Sequence, residues 1–253
     1  MEDRRCDRIG EQSGTADALT FGELLQAVHV RSDEAGFLGS DDHLKLMRDY
    51  VLERDHRLNV EWVDGQSFYE PGADLIGLER PPGNLRASEA GELVALVLNH
   101  EVAHARFTDQ QAFRDFLLGL PAIARHPSHH GWINSTFNFL EDARLAVAIG
   151  RLEPDAAQHL SRLNARAVDA YVLEYERENR ASPWVANPPS PPKQSEVAVI
   201  EQILVGNKPR VHPDVDALRE RIQGRVDRAR RGGTTDAADA AEAIYALSVG
   251  ALA

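Results

Sequence analysis

Ser88-Glu89-Ala90-Gly91-Glu92-Leu93-Val94-Ala95-Leu96-Val97-Leu98-Asn99-His100-Glu101-Val102-Ala103-His104-Ala105-Arg106-Phe107-Thr108-Asp109 is the stretch on which the fold turns. Its apolar positions recur at helical spacing, Ser88 suits an N-cap, and Glu89 and Glu92 favour the positive end of the helix dipole. The expectation is a central, mostly buried helix. In its middle stands the pattern HExxH, His100 to His104. Residues four apart share a helix face, so both imidazoles can reach one metal ion while Glu101 projects beside them toward an open coordination position. Leu96, Val97, Leu98 and Val102 surround these groups, and ionisable side chains sunk among apolar neighbours need partners. A shared metal ion meets that need, and Glu101 is then placed to act as a base toward water.

A zinc site of this kind needs a third protein ligand. Downstream, a second apolar helix is expected from about Trp132 to Ile149, after the breaker-rich stretch Pro121 to Gly131. It carries the polar patch Asn138-Phe139-Leu140-Glu141-Asp142-Ala143-Arg144. Asn138, Glu141, Asp142 and Leu145 fall on one stripe, so Glu141 is the candidate third ligand, with neighbours able to hydrogen-bond it. A solvated Glu141–Arg144 ion pair explains the same residues equally well.

Upstream, helices are expected from Leu19 and over Asp41 to Leu52. An alternating strand follows at Leu58 to Val63, then a hairpin or short meander at Asp64-Gly65 and a short apolar strand over Ala73 to Leu78. After the second apolar helix, a charged helix is expected from Pro154 to about Asn179. A Pro-rich connector spans 182–195, and shorter helices cover about 196–205, 214–230 and 235–250, the last capped by Thr235. Residues 1–18 read as a disordered leader, 19–181 as the main domain, and 196–253 as a helical segment packed on that domain.

Composition narrows the classes. With 40 acidic against 28 basic residues the formal charge is −12, which repels nucleic acid and anionic lipid. A single cysteine among 253 residues forms no internal disulfide, and the charged N-terminus has no secretory core, so a cytoplasmic address is the expectation. The longest apolar runs fall short of the roughly 20 residues of a membrane span.

The motifs His100-Glu101-Val102-Ala103-His104-Ala105-Arg106-Phe107-Thr108-Asp109 and Asn138-Phe139-Leu140-Glu141-Asp142-Ala143-Arg144, in that order, resemble a known family. They are similar to the gluzincin-like metallopeptidase domains that accompany von Willebrand factor A domains in bacterial and phage cobaltochelatase-subunit-like proteins. The resemblance is sharpest between about Asp74 and Ile149 and extends loosely to Thr234–Leu247. It implies Zn²⁺ held by His100, His104 and Glu141, Glu101 as general base, and hydrolysis of peptide bonds. It also implies an α+β, zincin-like fold, mainly helical, with a small β-sheet packed on the HExxH helix and the strand over 73–78 offering its edge to substrate. Many such proteins continue into a von Willebrand factor A module, whereas a free-standing peptidase domain is expected here.

Asp109 and Asp142 are candidates to fix a histidine tautomer, and Arg144 to stabilise a developing oxyanion or, the preferred reading, to neutralise Asp142. Tyr171 and Tyr175 read as packing residues, and His126, His129 and His130 as an exposed loop cluster. Two rival readings share these residues. One is a non-catalytic metal-binding partner in a larger bacterial or phage complex; the other is a metal-dependent hydrolase of a non-peptide amide.

Overall fold

The computed structural model describes residues 19–120, 127–154, 156–159, 161–162, 165 and 216–250. These form an α+β structure, mostly helical, with one small mixed sheet. The expected leader and connector, Tyr171, Tyr175, His126 and the helix at 196–205 lie outside the described residues, as does most of the charged helix from Pro154.

Helix α1 spans Phe21–Arg31 and opens with a capping box, in which Thr20 and Glu23 each accept the other's backbone N–H. Helix α2 spans Asp41–Leu52, and the Ser40 hydroxyl caps it by accepting the His43 N–H. Three strands follow: β1, Asn59–Val63; β2, Phe68–Glu70; and β3, Leu75–Glu79.

Their order is β1-β3-β2, with β1 parallel and β2 antiparallel to β3. Two expectations are thereby corrected. Asp64-Gly65 does not close a hairpin, because β1 does not pair with the next strand but with the one after it. The strand near 73–78 is not an edge, because both of its sides carry ladder hydrogen bonds; β1 and β2 are the edges, and β2 is the one that lines the cleft described below. Gly77 makes this arrangement possible. A Cβ there would lie 2.7 Å from the Phe68 ring across the ladder, so the missing side chain gives that ring its seat.

Helix α3, Ala87–Phe107, runs under the sheet. It begins one residue before the expected cap: Arg86 is the N-cap and makes no side-chain hydrogen bond there, while Ser88 sits in the first turn. Gly91 allows α1 to approach closely, since a Cβ there would stand 2.6 Å from Val28 Cγ1. The buried Tyr50 hydroxyl donates to Asn99 Oδ1 at 2.7 Å, tying α2 to α3 one residue before His100.

Helix α4, Gln110–Gly119, follows at once, and α5 runs from Pro127 to Leu152. Helix α5 therefore starts five residues before Trp132 and takes in His129 and His130, which belong to a helix and not to a loop. Helices α6, Asp216–Arg231, and α7, Thr234–Gly250, complete the described chain. Thr235, the expected cap of the last helix, lies inside it; Asp236 accepts the Gly233 N–H at the turn instead.

Two apolar clusters result. One joins α1, α2, the sheet and α3 with Leu145 and Ile149 from the end of α5. The other joins α4, the first half of α5, α6 and α7 around Phe137, Leu140, Val226 and Ile244. Burying each such side chain contributes roughly 1.5–3 kcal/mol. Among the described residues no helix is long and apolar enough to cross a membrane.

Candidate metal centre

Helix α3 meets α5 where the two apolar clusters abut, and His100, His104 and Asp142 face one another at that junction. His104 Nε2 lies 3.2 Å from His100 Nε2 and 3.2 Å from Asp142 Oδ1, and His100 Nε2 lies 3.4 Å from the same oxygen. Tetrahedral zinc with ligands at roughly 2.0–2.1 Å separates its donor atoms by about 3.3 Å. The three donors thus already outline one face of such a tetrahedron, so the residues fit the ion.

The surrounding groups suit that use. His104 Nδ1 is 3.1 Å from Thr108 Oγ1, one helical turn on, a contact that orients the ring; in the tautomer with the proton on Nδ1, the Nε2 lone pair faces the cluster. Burial disfavours charge on His100, but the Asp142 carboxylate beside it prevails and raises the imidazole to about 9. For Asp142, burial acts upward, yet His100 and His104 hold its carboxyl well below the usual carboxylate range. The cluster therefore attracts positive charge strongly.

Glu101 is almost buried, at 9% exposure, beside the same imidazoles. Burial raises its pKa, the two imidazoles pull it back, and a hydrogen bond from the Tyr69 backbone lowers it further; the net shift is upward. A carboxylate raised in this way is a better proton acceptor near neutral pH. Tyr69 belongs to β2, which packs on α3 and lines the same cleft as Glu101.

All four groups open into one cleft of about 480 Å³. The edge strand forms one wall through Phe68 and Tyr69, and Phe113, Phe137 and Phe139 from α4 and α5 form the other. Asn138 is exposed on this wall and lines the cleft near Asp142.

Glu141, the expected third ligand, is occupied elsewhere. Arg144 donates to both of its oxygens, at 2.8 and 2.6 Å, and the Thr234 hydroxyl donates at 3.1 Å. The pair is an ion pair, but a buried one rather than the solvated pair considered from the sequence, with side-chain exposures of 8% and 1%. The physical reason lies in the roll of α5. Neighbouring helical residues point about 100° apart, and packing Leu140 and Ala143 into the second cluster leaves Asp142, not Glu141, against the imidazoles.

Two further expectations change. Arg144 does not neutralise Asp142; besides Glu141 it binds the Phe107 carbonyl at 2.8 Å, at the C-terminal end of α3. Asp109 does not touch a histidine: its carboxylate caps α4 by accepting the Gln111 and Ala112 N–H groups, and its own N–H donates to Thr234.

Thr108 and Thr234 are the site residues that sequence reasoning passed over. Thr108 had a signal, its spacing of four from His104. Thr234 had none, because it reaches Glu141 across 93 positions. Comparison with known protein families, curated proteins and solved structures finds no match.

Proposed function

We propose that this chain is a metal-dependent peptidase of zincin-like architecture, with Zn²⁺ held by His100, His104 and Asp142 and with Glu101 as general base. The observation that carries the reading is the triangle of donor atoms, edged at 3.2, 3.2 and 3.4 Å, beside a buried glutamate at the floor of an open cleft. Zinc bound there supplies Lewis acidity toward the scissile carbonyl and the attacking water. Glu101 takes the proton from that water and delivers it to the departing amine nitrogen. Asp142 supplies the anionic donor, and Thr108 fixes the orientation of His104.

The edge strand β2 supports a peptide rather than a small amide as substrate. It lies at an edge of the sheet, its Phe68 and Tyr69 line the cleft, and an extended polypeptide can bind a strand edge by main-chain hydrogen bonds. The charge of −12 and the single cysteine support a cytoplasmic setting without a nucleic-acid partner.

The deciding experiment measures metal by plasma mass spectrometry after dialysis, and peptide cleavage in parallel, on wild type, Asp142→Ala and Glu101→Gln. The expected result is about one zinc per wild-type chain, much weaker retention in Asp142→Ala, and retained zinc without cleavage in Glu101→Gln. A wild type that holds no metal when zinc is offered, or cleavage that survives Glu101→Gln, would overturn the proposal.

A further inference from the structure

The wall of the cleft opposite β2 is built from rings whose positions are set before any substrate arrives. Phe137, from α5, is 2% exposed and packs against two rings: Phe113 stacks on it at 4.9 Å with the ring planes 15° apart, and Phe116 at 5.1 Å and 26°. Phe116 and Phe137 anchor this stack in the second apolar cluster. Phe113 and Phe139 are only partly buried, and both line the cleft. A ring packed on one side by the core and open to the cleft on the other offers apolar contact with little ordering cost.

Glu141 is taken by Arg144, and Asp142 faces the two imidazoles. Among the described lining residues none is lysine or arginine. Beside uncharged polar groups such as Gln66, Gln110 and Asn138, the cleft presents to a bound chain the rings of α4 and α5 and the strand β2. A peptide laid along β2 directs successive side chains to alternate faces, so one set points toward the rings of α4 and α5.

From this arrangement, and resting on the peptidase reading above, we infer that the cleft selects an extended polypeptide segment carrying a bulky apolar side chain, with Phe113 and Phe139 as its specificity-determining residues. The discrimination comes from apolar burial against fixed rings. Its scale is that of side-chain selection by a hydrophobic pocket, about 10- to 200-fold.

The test uses end-blocked, fluorescein-labelled octapeptides that differ only at one central position: Phe, Leu, Ser, Asp or Lys. Binding to zinc-loaded Glu101→Gln protein is read by fluorescence anisotropy, and cleavage of the same series is read on wild type. The Phe and Leu peptides are expected to bind at least about 10-fold more tightly than the others. Phe113→Ala and Phe139→Ala should shrink that ratio, and Phe139→Leu, which keeps an apolar packing group, should retain most of it. Zinc content and thermal melting of each variant separate a lost contact from a lost fold.

A flat series, a preference for a charged residue, or an unchanged ratio in both alanine variants would overturn the inference. Cleavage of all peptides without preference would sink the inference and leave the peptidase reading standing. Phe-selective binding with no cleavage would do the reverse.

Discussion

Replacing Arg144 with methionine removes the only cation bonded to Glu141 among the described residues. The two side chains are 8% and 1% exposed, and the guanidinium makes contacts of 2.8 and 2.6 Å to the carboxylate and 2.8 Å to the Phe107 carbonyl. After the change, the Thr234 hydroxyl at 3.1 Å is the one partner that Glu141 keeps among the described residues. Stranding one member of a buried ion pair costs about 3–5 kcal/mol, a large share of the roughly 5–15 kcal/mol by which domains are stable. The double variant Glu141→Gln with Arg144→Met removes the uncompensated charge and should recover more than half of the loss. Urea denaturation followed by circular dichroism, with a chelator present so that metal linkage does not enter, gives all three values. A loss below about 1 kcal/mol for Arg144→Met would refute the buried-pair account. So would the metal result that reverses the two carboxylates, with Glu141→Gln releasing zinc and Asp142→Asn keeping it.

Other perturbations test separate parts of the structure. Thr108→Val takes the partner from His104 Nδ1 and should weaken zinc binding about 10- to 100-fold in competition with a chromophoric chelator; unchanged affinity would dismiss the contact. Gly91→Ala should lower thermal stability by about 1–3 kcal/mol, although alanine favours helices, because its Cβ meets Val28 at 2.6 Å and Leu38 at 3.2 Å; a stabilised variant would show that α1 can move aside. His43 provides a pH test. Burial first, and then the Arg31 charge, lower it to about 4, and it lies between the Phe37 and Trp62 rings. Below the ordinary histidine pKa near 6.5 the unfolded chain binds a proton that the folded chain refuses. This contribution to stability is therefore full above about 6.5 and is lost as pH falls toward 4, by at most about 3 kcal/mol. His43→Gln should flatten that part of the stability–pH curve, and a parallel curve would count against a neutral buried imidazole.

Helix α3 was legible because independent signals agreed over Ser88–Asp109: apolar spacing, acidic residues at its start and a histidine pair on one face. The α+β class followed from the change to alternating residues near Leu58. Strand order was not legible, since Asp64-Gly65 is as good a local turn for a meander as for the crossover observed, and only tertiary pairing puts β3 in the middle. Helix α4 was missed although Asp109 is a good N-cap and Phe113, Phe116, Leu117 and Leu120 follow at helical spacing. The HExxH motif beside it drew the reading of Asp109 toward the metal. The choice between Glu141 and Asp142 turns on a rotation of α5 set by what its other faces bury, and those partners, Val226 and Ile244, lie far along the chain.

That distance orders the life of the molecule during synthesis. Residues up to Ala156, just past the end of α5, can assemble the first apolar cluster as they leave the ribosome, since every contributor is then present. The Glu141 anchor and the apolar cover of α5 wait for Thr234 and the helices around it. A nascent chain paused before α7 would carry both histidines and both carboxylates, but α5 would still be free to roll. The facing of Asp142 toward the two imidazoles would then be fixed only once Thr234 has joined Glu141.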